Sequence, residues 1–314
     1  MVVKKERNKT VDAMKGLAIL SVVLGHVISE NQGIVADQNK LFSAIYSFHM
    51  PLFFVIAGFV LATSLPTHTQ YSIWLKSKAA YLVVPSILIS LLIWVISTHS
   101  VSFSSWLVQA FVQFQGEWFL WTMFLVLWLL SWCLFRSTWW LVSVVYLALL
   151  LPSIPFFGIN QVQWYLLFGV LGYVVAMIGI KKWLVITGAL LFIPVLVLTH
   201  WNGVWSQHSL VSLSQNPDIY LSRLAQALTG VCLLTCVAFL LRKIKLLQWF
   251  GKHSLGIYLT NFLFIGLVKG VWLSFLVSLT ISIIIILILQ HIKYLQRWFP
   301  RDVKKVSPLA NTIS

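Results

Sequence analysis

Lys15 and His26 stand eleven positions apart in D-A-M-K-G-L-A-I-L-S-V-V-L-G-H, inside the first long apolar stretch of the chain. An ionisable group within a membrane span costs roughly 2.5–3.5 kcal/mol on insertion scales, so the pair signals function before any other feature does. On an ideal helix eleven residues turn through about 1100°, a net offset of about 20°, and rise about 16 Å. The two side chains therefore share a face, with a cation near one end and an imidazole near the other. A cation suits the phosphates of a ligand, and an imidazole suits proton transfer. Glu30, four residues past His26 on the same face, is placed to accept a hydrogen bond from one ring nitrogen and leave the other free to take a proton.

A second histidine, His49, lies in F-S-A-I-Y-S-F-H-M-P-L-F-F-V-I-A-G-F, at the start of the second apolar run. If that run crosses inward, His49 reaches about the depth of His26 on the outward-running first helix. Glu117, in G-E-W-F-L-W, brings another acid to the same level. Plain alternatives stand beside these readings. Lys15 also fits an anchor that snorkels, His49 a ring that only bonds a backbone carbonyl, and Glu30 and Glu117 solvated interfacial residues.

The elements that must position these groups are membrane helices. A chain of 314 residues that is 60% hydrophobic and 9% charged, with mean hydropathy +0.91, cannot present an ordinary soluble surface. Apolar runs of about 20 residues predict an all-α, polytopic membrane protein with about ten spans. These fall at 11–29, 43–64, 79–97, 118–135, 138–152, 161–179, 182–200, 221–241, 253–271 and 273–291. With both termini in the cytoplasm, all of the 22 basic residues except Lys40, Arg223 and Lys269 fall on the inner side. The positive-inside rule thus selects that orientation and an even number of spans, and the net charge of +15 reads as topology. Nothing resembles a soluble reading head for nucleic acid.

Residues 1–292 read as one transmembrane domain and 293–314 as a basic cytoplasmic tail. The N-terminal stretch lacks a small-residue cleavage site and is expected to be a retained first helix. Cys133 lies in the fourth span, and Cys232 with Cys236 in the eighth. Such thiols behave as small hydrophobes, so neither a disulfide nor a metal site is expected. Paired tryptophans at span ends suit an interfacial belt, while Trp118, Trp121 and Trp164 are candidates for lining a sugar site.

Several segments resemble the acyltransferase-3 family of integral membrane acyltransferases, in particular its polysaccharide O-acetylase branch. The first is Lys15, ten residues and His26, which matches the family's Arg or Lys, ten residues, His. The second is F-H-M-P-L-F-F-V-I-A-G-F, with Ala57 where Ser is usual. The third is K-S-K-A-A-Y-L-V-V-P, with Lys78 where Arg is usual. E-W-F-L-W-T-M-F and G-K-H-S-L-G-I-Y-L-T-N-F support the match, with Asn261 in place of a common His. The matching segments run from residue 12 to about 262, and the first two are the specific ones.

The resemblance implies that an acetyl group passes from cytoplasmic acetyl-CoA to a hydroxyl on the outer side of a bacterial cytoplasmic membrane. Lys15, helped by Lys76 and Lys78, is then expected to hold the CoA phosphates while the thioester reaches His26. His26 is expected to act as general base, oriented by Glu30 or His49, either directly or through an acyl-histidine. Asn261 or Tyr258 is the candidate donor to the oxyanion. The expected partners are the acyl-CoA donor, a glycan or small-molecule acceptor and membrane lipid, with no metal. The rival reading is a transporter or flippase for a lipid-linked sugar, whose marks would be repeated halves or matched broken helices.

Overall fold

The computed structural model describes residues 7–96, 102, 104–106, 118–152, 159–199, 213–214 and 216–300. Among the described residues the regular structure is entirely helical. In chain order the helices are α1 (Lys9–Gln32), α2 (Lys40–Ser64), α3 (Tyr71–Ile96), α4 (Trp118–Arg136), α5 (Thr138–Leu150), α6 (Ile159–Ile178), α7 (Lys182–Leu198), α8 (Pro217–Leu241), α9 (Lys245–Lys252), α10 (Ser254–Asn261) and α11 (Val271–Leu289). Seven of them, α1 to α4, α6, α8 and α11, are long and apolar enough to cross a membrane, and α5 and α7 are shorter apolar helices. The chain is a multi-pass membrane protein.

Of the expected spans, 253–271 is not one continuous helix. There the helix ends at Asn261, and 262–270 form successive turns before α11 begins. Irregular backbone at membrane depth is tolerated only where protein satisfies its polar groups. Neighbouring side chains do so here. Ser274 Oγ donates to the Ile265 carbonyl, Ser278 Oγ donates to the Asn261 carbonyl at 3.2 Å, and Asn31 Oδ1 accepts from Gly270 N at 2.8 Å. Gly270, at φ 96°, takes the left-handed turn into α11.

Other boundaries move for visible reasons. α3 begins at Tyr71, ahead of the expected 79, because no breaker separates Lys76 and Lys78 from the apolar run. The basic stretch 245–252, which lies between two expected spans, forms the amphipathic α9, which lays Leu247 and Phe250 into the core. The first residues of the expected tail pack on the bundle: Phe299 is buried against Gly256, and Arg297 donates to Ser77 O on α3 at 2.6 Å.

α1 and α2 are the innermost spans, and both start on side-chain caps. Asn8 accepts from Thr10 N and Val11 N, and Asn39 from Leu41 N and Phe42 N. Glycines let other helices come to backbone distance of this pair. Gly16 and Gly251 sit where a Cβ would strike the Leu247 and Asp12 carbonyls, fixing α9 against α1. Gly58 and Gly172 would strike the Gly169 and Val55 carbonyls in the same way, fixing α6 against α2. Without a hydrophobic force between helices in lipid, such close packing supplies the association.

Candidate functional site

The α1 face predicted from spacing leads to two different environments. At its Lys15 end lies a cavity bounded by α1, α2, α3, α4 and α10, with about 880 Å³ of space not filled by atoms, part of it open to solvent. Its walls are mostly apolar, from Phe53 and Val60 to Met123, and its cations are Lys15 and Lys78. Lys78 Nζ lies 5.6 Å from the centre of the Trp74 ring, which also lines the space. Lys76 is exposed and takes no part in this lining. Arg7 and Arg297 lie within electrostatic reach of Tyr81, another wall residue, so the mouth is more basic than the two lysines alone. Arg7 is held by Asp12 at 2.6 Å.

At the other end the His26 ring packs on Phe262, with ring centroids 4.4 Å apart, and stands edge-on to Tyr46. The Tyr46 hydroxyl is 3.5 Å from His26 Nδ1, and His26 Nε2 is buried with no hydrogen-bond partner among the described residues. If the Nδ1 hydrogen points to the tyrosine oxygen, Nε2 keeps a lone pair for a proton. His26 does not line the cavity. Tyr258 does, and Tyr258, Phe262 and His26 follow one another as ring neighbours from the cavity inward.

The remaining sequence candidates distribute as follows. His49 is buried on α2, its Nδ1 donates to the Ile45 carbonyl at 2.7 Å, and its ring lies against Tyr46 at 4.8 Å. His26 and His49 therefore meet on the two sides of Tyr46, a residue that the sequence reading passed over. Y-S-F-H was the signal, since positions three apart lie on neighbouring ridges of one helix. Glu30 is exposed, its carboxylate turns toward Gly266, and no hydrogen bond joins it to His26. Asn261 is fully buried, and its Nδ2 donates to Ile257 O at 2.7 Å and Tyr258 O at 2.9 Å. Both amide hydrogens are thus spent on its own helix, and the unpartnered Asn261 Oδ1 is an acceptor rather than an oxyanion donor. Glu117 lies outside the described residues. Among the described residues no group of three or more His, Cys, Asp or Glu is placed to hold a metal.

The multi-pass helical bundle thus sets a cation-lined cavity and a buried imidazole along one inner helix. The chain belongs to the acyltransferase-3 family: the family model described as an acyltransferase domain matches residues 8–290. Two curated relatives are similar over a shorter stretch. Nodulation protein NolL of Sinorhizobium fredii is 32% identical over 127 residues, covering 37% of this chain and 33% of that protein. Nodulation protein NolL of Mesorhizobium japonicum is 28% identical over 127 residues, covering 38% and 34%. The match thus spans about a third of the length of these relatives. No solved structure matches significantly.

Proposed function

We propose that the protein is a membrane O-acetyltransferase that moves an acetyl group from acetyl-CoA to a glycan hydroxyl, with His26 Nε2 as general base. One observation carries this reading: a buried, unpartnered imidazole nitrogen on the same helix as a lysine that lines an open, cation-edged cavity. The rise from Lys15 to His26, about 16 Å by helix geometry, is comparable with an extended pantetheine arm. Lys15 and Lys78 hold the CoA phosphates as point charges, and the apolar walls take the arm.

In the reaction, the acceptor hydroxyl gives its proton to Nε2 while its oxygen attacks the thioester carbonyl carbon. The C–S bond then breaks, CoA leaves as thiolate, and it recovers the proton from the imidazolium. The products are the acetyl ester and CoA thiol, with His26 restored. Tyr258, in the cavity wall beside Phe262, is the candidate oxyanion donor, and Tyr46 orients the base from the far side of the ring.

Both termini are placed in the cytoplasm of a bacterial cell, with the donor entering from that side and the acceptor from the other. Charge distribution along the chain supports this orientation. The test is His26→Ala in producing cells, with alkali-labile acetate on envelope glycans as the readout. Loss of that acetate with export unchanged is the expected result. Normal acetylation with impaired glycan export would support a carrier instead.

A further inference from the structure

Arg223 is one of only three basic residues that the charge pattern leaves off the inner side, and it is buried where the other two, Lys40 and Lys269, are exposed. It is buried on α8, at 7% exposure, between Tyr220 at 3% and Gln226 at 0%. Spacings of three place these side chains along one side of α8. A buried cation in a span asks for a partner and for a purpose. Its electrostatic neighbours are Tyr165 on α6 and Asp37 in the 33–38 turn that follows α1.

Around this cation the described structure leaves polar atoms unsatisfied. The Tyr220 hydroxyl, Gln226 Oε1 and, on α6, Gln161 Oε1 are all buried and lack hydrogen-bond partners. Gln226 Nε2 is already committed to Thr199 Oγ1 at 2.6 Å, which fixes the direction in which Oε1 points. Buried polar groups are normally paired, and two unpaired groups on the same side of α8 as a buried cation, with a third on α6, need an explanation. Aromatic rings flank them. Trp164 meets Tyr220 edge-on at 5.0 Å, while Tyr165 is already stacked on Phe54 at 4.4 Å and on Trp118 at 5.6 Å. The cluster also connects to the base: Tyr165 and Tyr46 are within electrostatic reach of each other, and Tyr46 approaches His26 Nδ1.

We infer that Arg223, Tyr220 and Gln226, with Trp164, form the site that binds the sugar ring of the glycan acceptor. Aromatic faces take the C–H side of a pyranose, while planar guanidinium and amide groups take its hydroxyls, and both kinds of group converge here. Asp37 near Arg223 offsets the cation's charge, which favours hydroxyl groups over a free anion as the ligand. The inference rests on the transferase reading above and adds the acceptor side to it. Arg223 and Gln226 bind and select, whereas His26 does the chemistry.

The test uses the full-length protein in lipid nanodiscs with acetyl-CoA and a panel of methyl hexosides and methyl N-acetylhexosaminides as acceptors. The readouts are ester formation by mass spectrometry and thermal stabilisation by CoA and by each glycoside separately. Arg223→Lys, Gln226→Leu and the gentler Tyr220→Phe should each raise the glycoside KM, about tenfold for the first two, with the acetyl-CoA KM nearly unchanged. Stabilisation by CoA shows that each variant has folded. Unchanged glycoside KM in all three variants overturns the site, and so does a wild-type protein that no glycoside stabilises. His26→Ala separates the two claims, because it should bind glycoside normally and transfer nothing. If it transfers like wild type, the general-base role of His26 falls; if the wild type itself transfers nothing, the transferase reading falls, and glycoside stabilisation of the Arg223 and Gln226 variants alone decides the site.

Discussion

At the Lys15 end of α1 the chain keeps space open, with apolar walls, two lysines in the lining and further cations around the rim, whereas at the His26 end the helices close over rings and unsatisfied polar atoms. The open end is bounded in part by α3, which is mostly exposed, and by the short α10. The closed end is built on α2 and α6, which meet backbone to backbone. On the proposed reading, each construction suits a different ligand. A long, flexible, multiply charged donor needs volume and point charges more than shape. A compact acceptor has to be held at one angle to a base, and that calls for rigid neighbours and directed hydrogen bonds.

The largest break in this contrast comes at the closed end. His26→Ala should lower acetyl transfer by about 10²- to 10⁴-fold, the usual worth of a general base, while CoA still stabilises the protein. Retained transfer would show that the two ends do not divide the labour in this way. Next comes the frame itself. Gly172→Leu forces a side chain into the Val55 backbone and should cost about 1–3 kcal/mol or more, visible as a lower melting temperature in detergent and poorer membrane yield.

The open end should respond more gently. Lys15→Ala or Lys78→Ala should each raise the acetyl-CoA KM about tenfold, equivalent to about 1.4 kcal/mol, and leave the acceptor KM alone. High salt should mimic part of that effect, since exposed charges are screened at about 3 Å in 1 M salt. The smallest effect sharpens the boundary of the site: Lys76→Ala, exposed and away from the cavity lining, should change neither constant by more than about twofold.

Membrane residence, helical class and the Lys15–His26 face were legible in the chain because they follow from composition and from the period of one helix. Tyr46 was not, since its approach to His26 depends on the register of α2 against α1, which neither helix specifies alone. The break after Asn261 was hidden for a similar reason. Hydropathy alone reads 253–271 as a span, and only Ser274, Ser278 and Asn31, arriving from other elements, make turns tolerable there. Asn261 illustrates the limit for single side chains. Its position in a family-like motif suggested a donor, yet its amide hydrogens are taken by the turn behind it.

The glycine seam between α2 and α6 has a mechanical consequence. With carbonyls where side chains would stand, the two helices have no layer of rotamers that can give between them, so Tyr46 and His49 on one and Tyr165 on the other move as a single body. The element freest to widen the cavity is α3, which carries Pro85 within its length and leaves much of its surface outside the bundle. On the proposed reading, breathing then falls at the donor's doorway and spares the geometry at the imidazole.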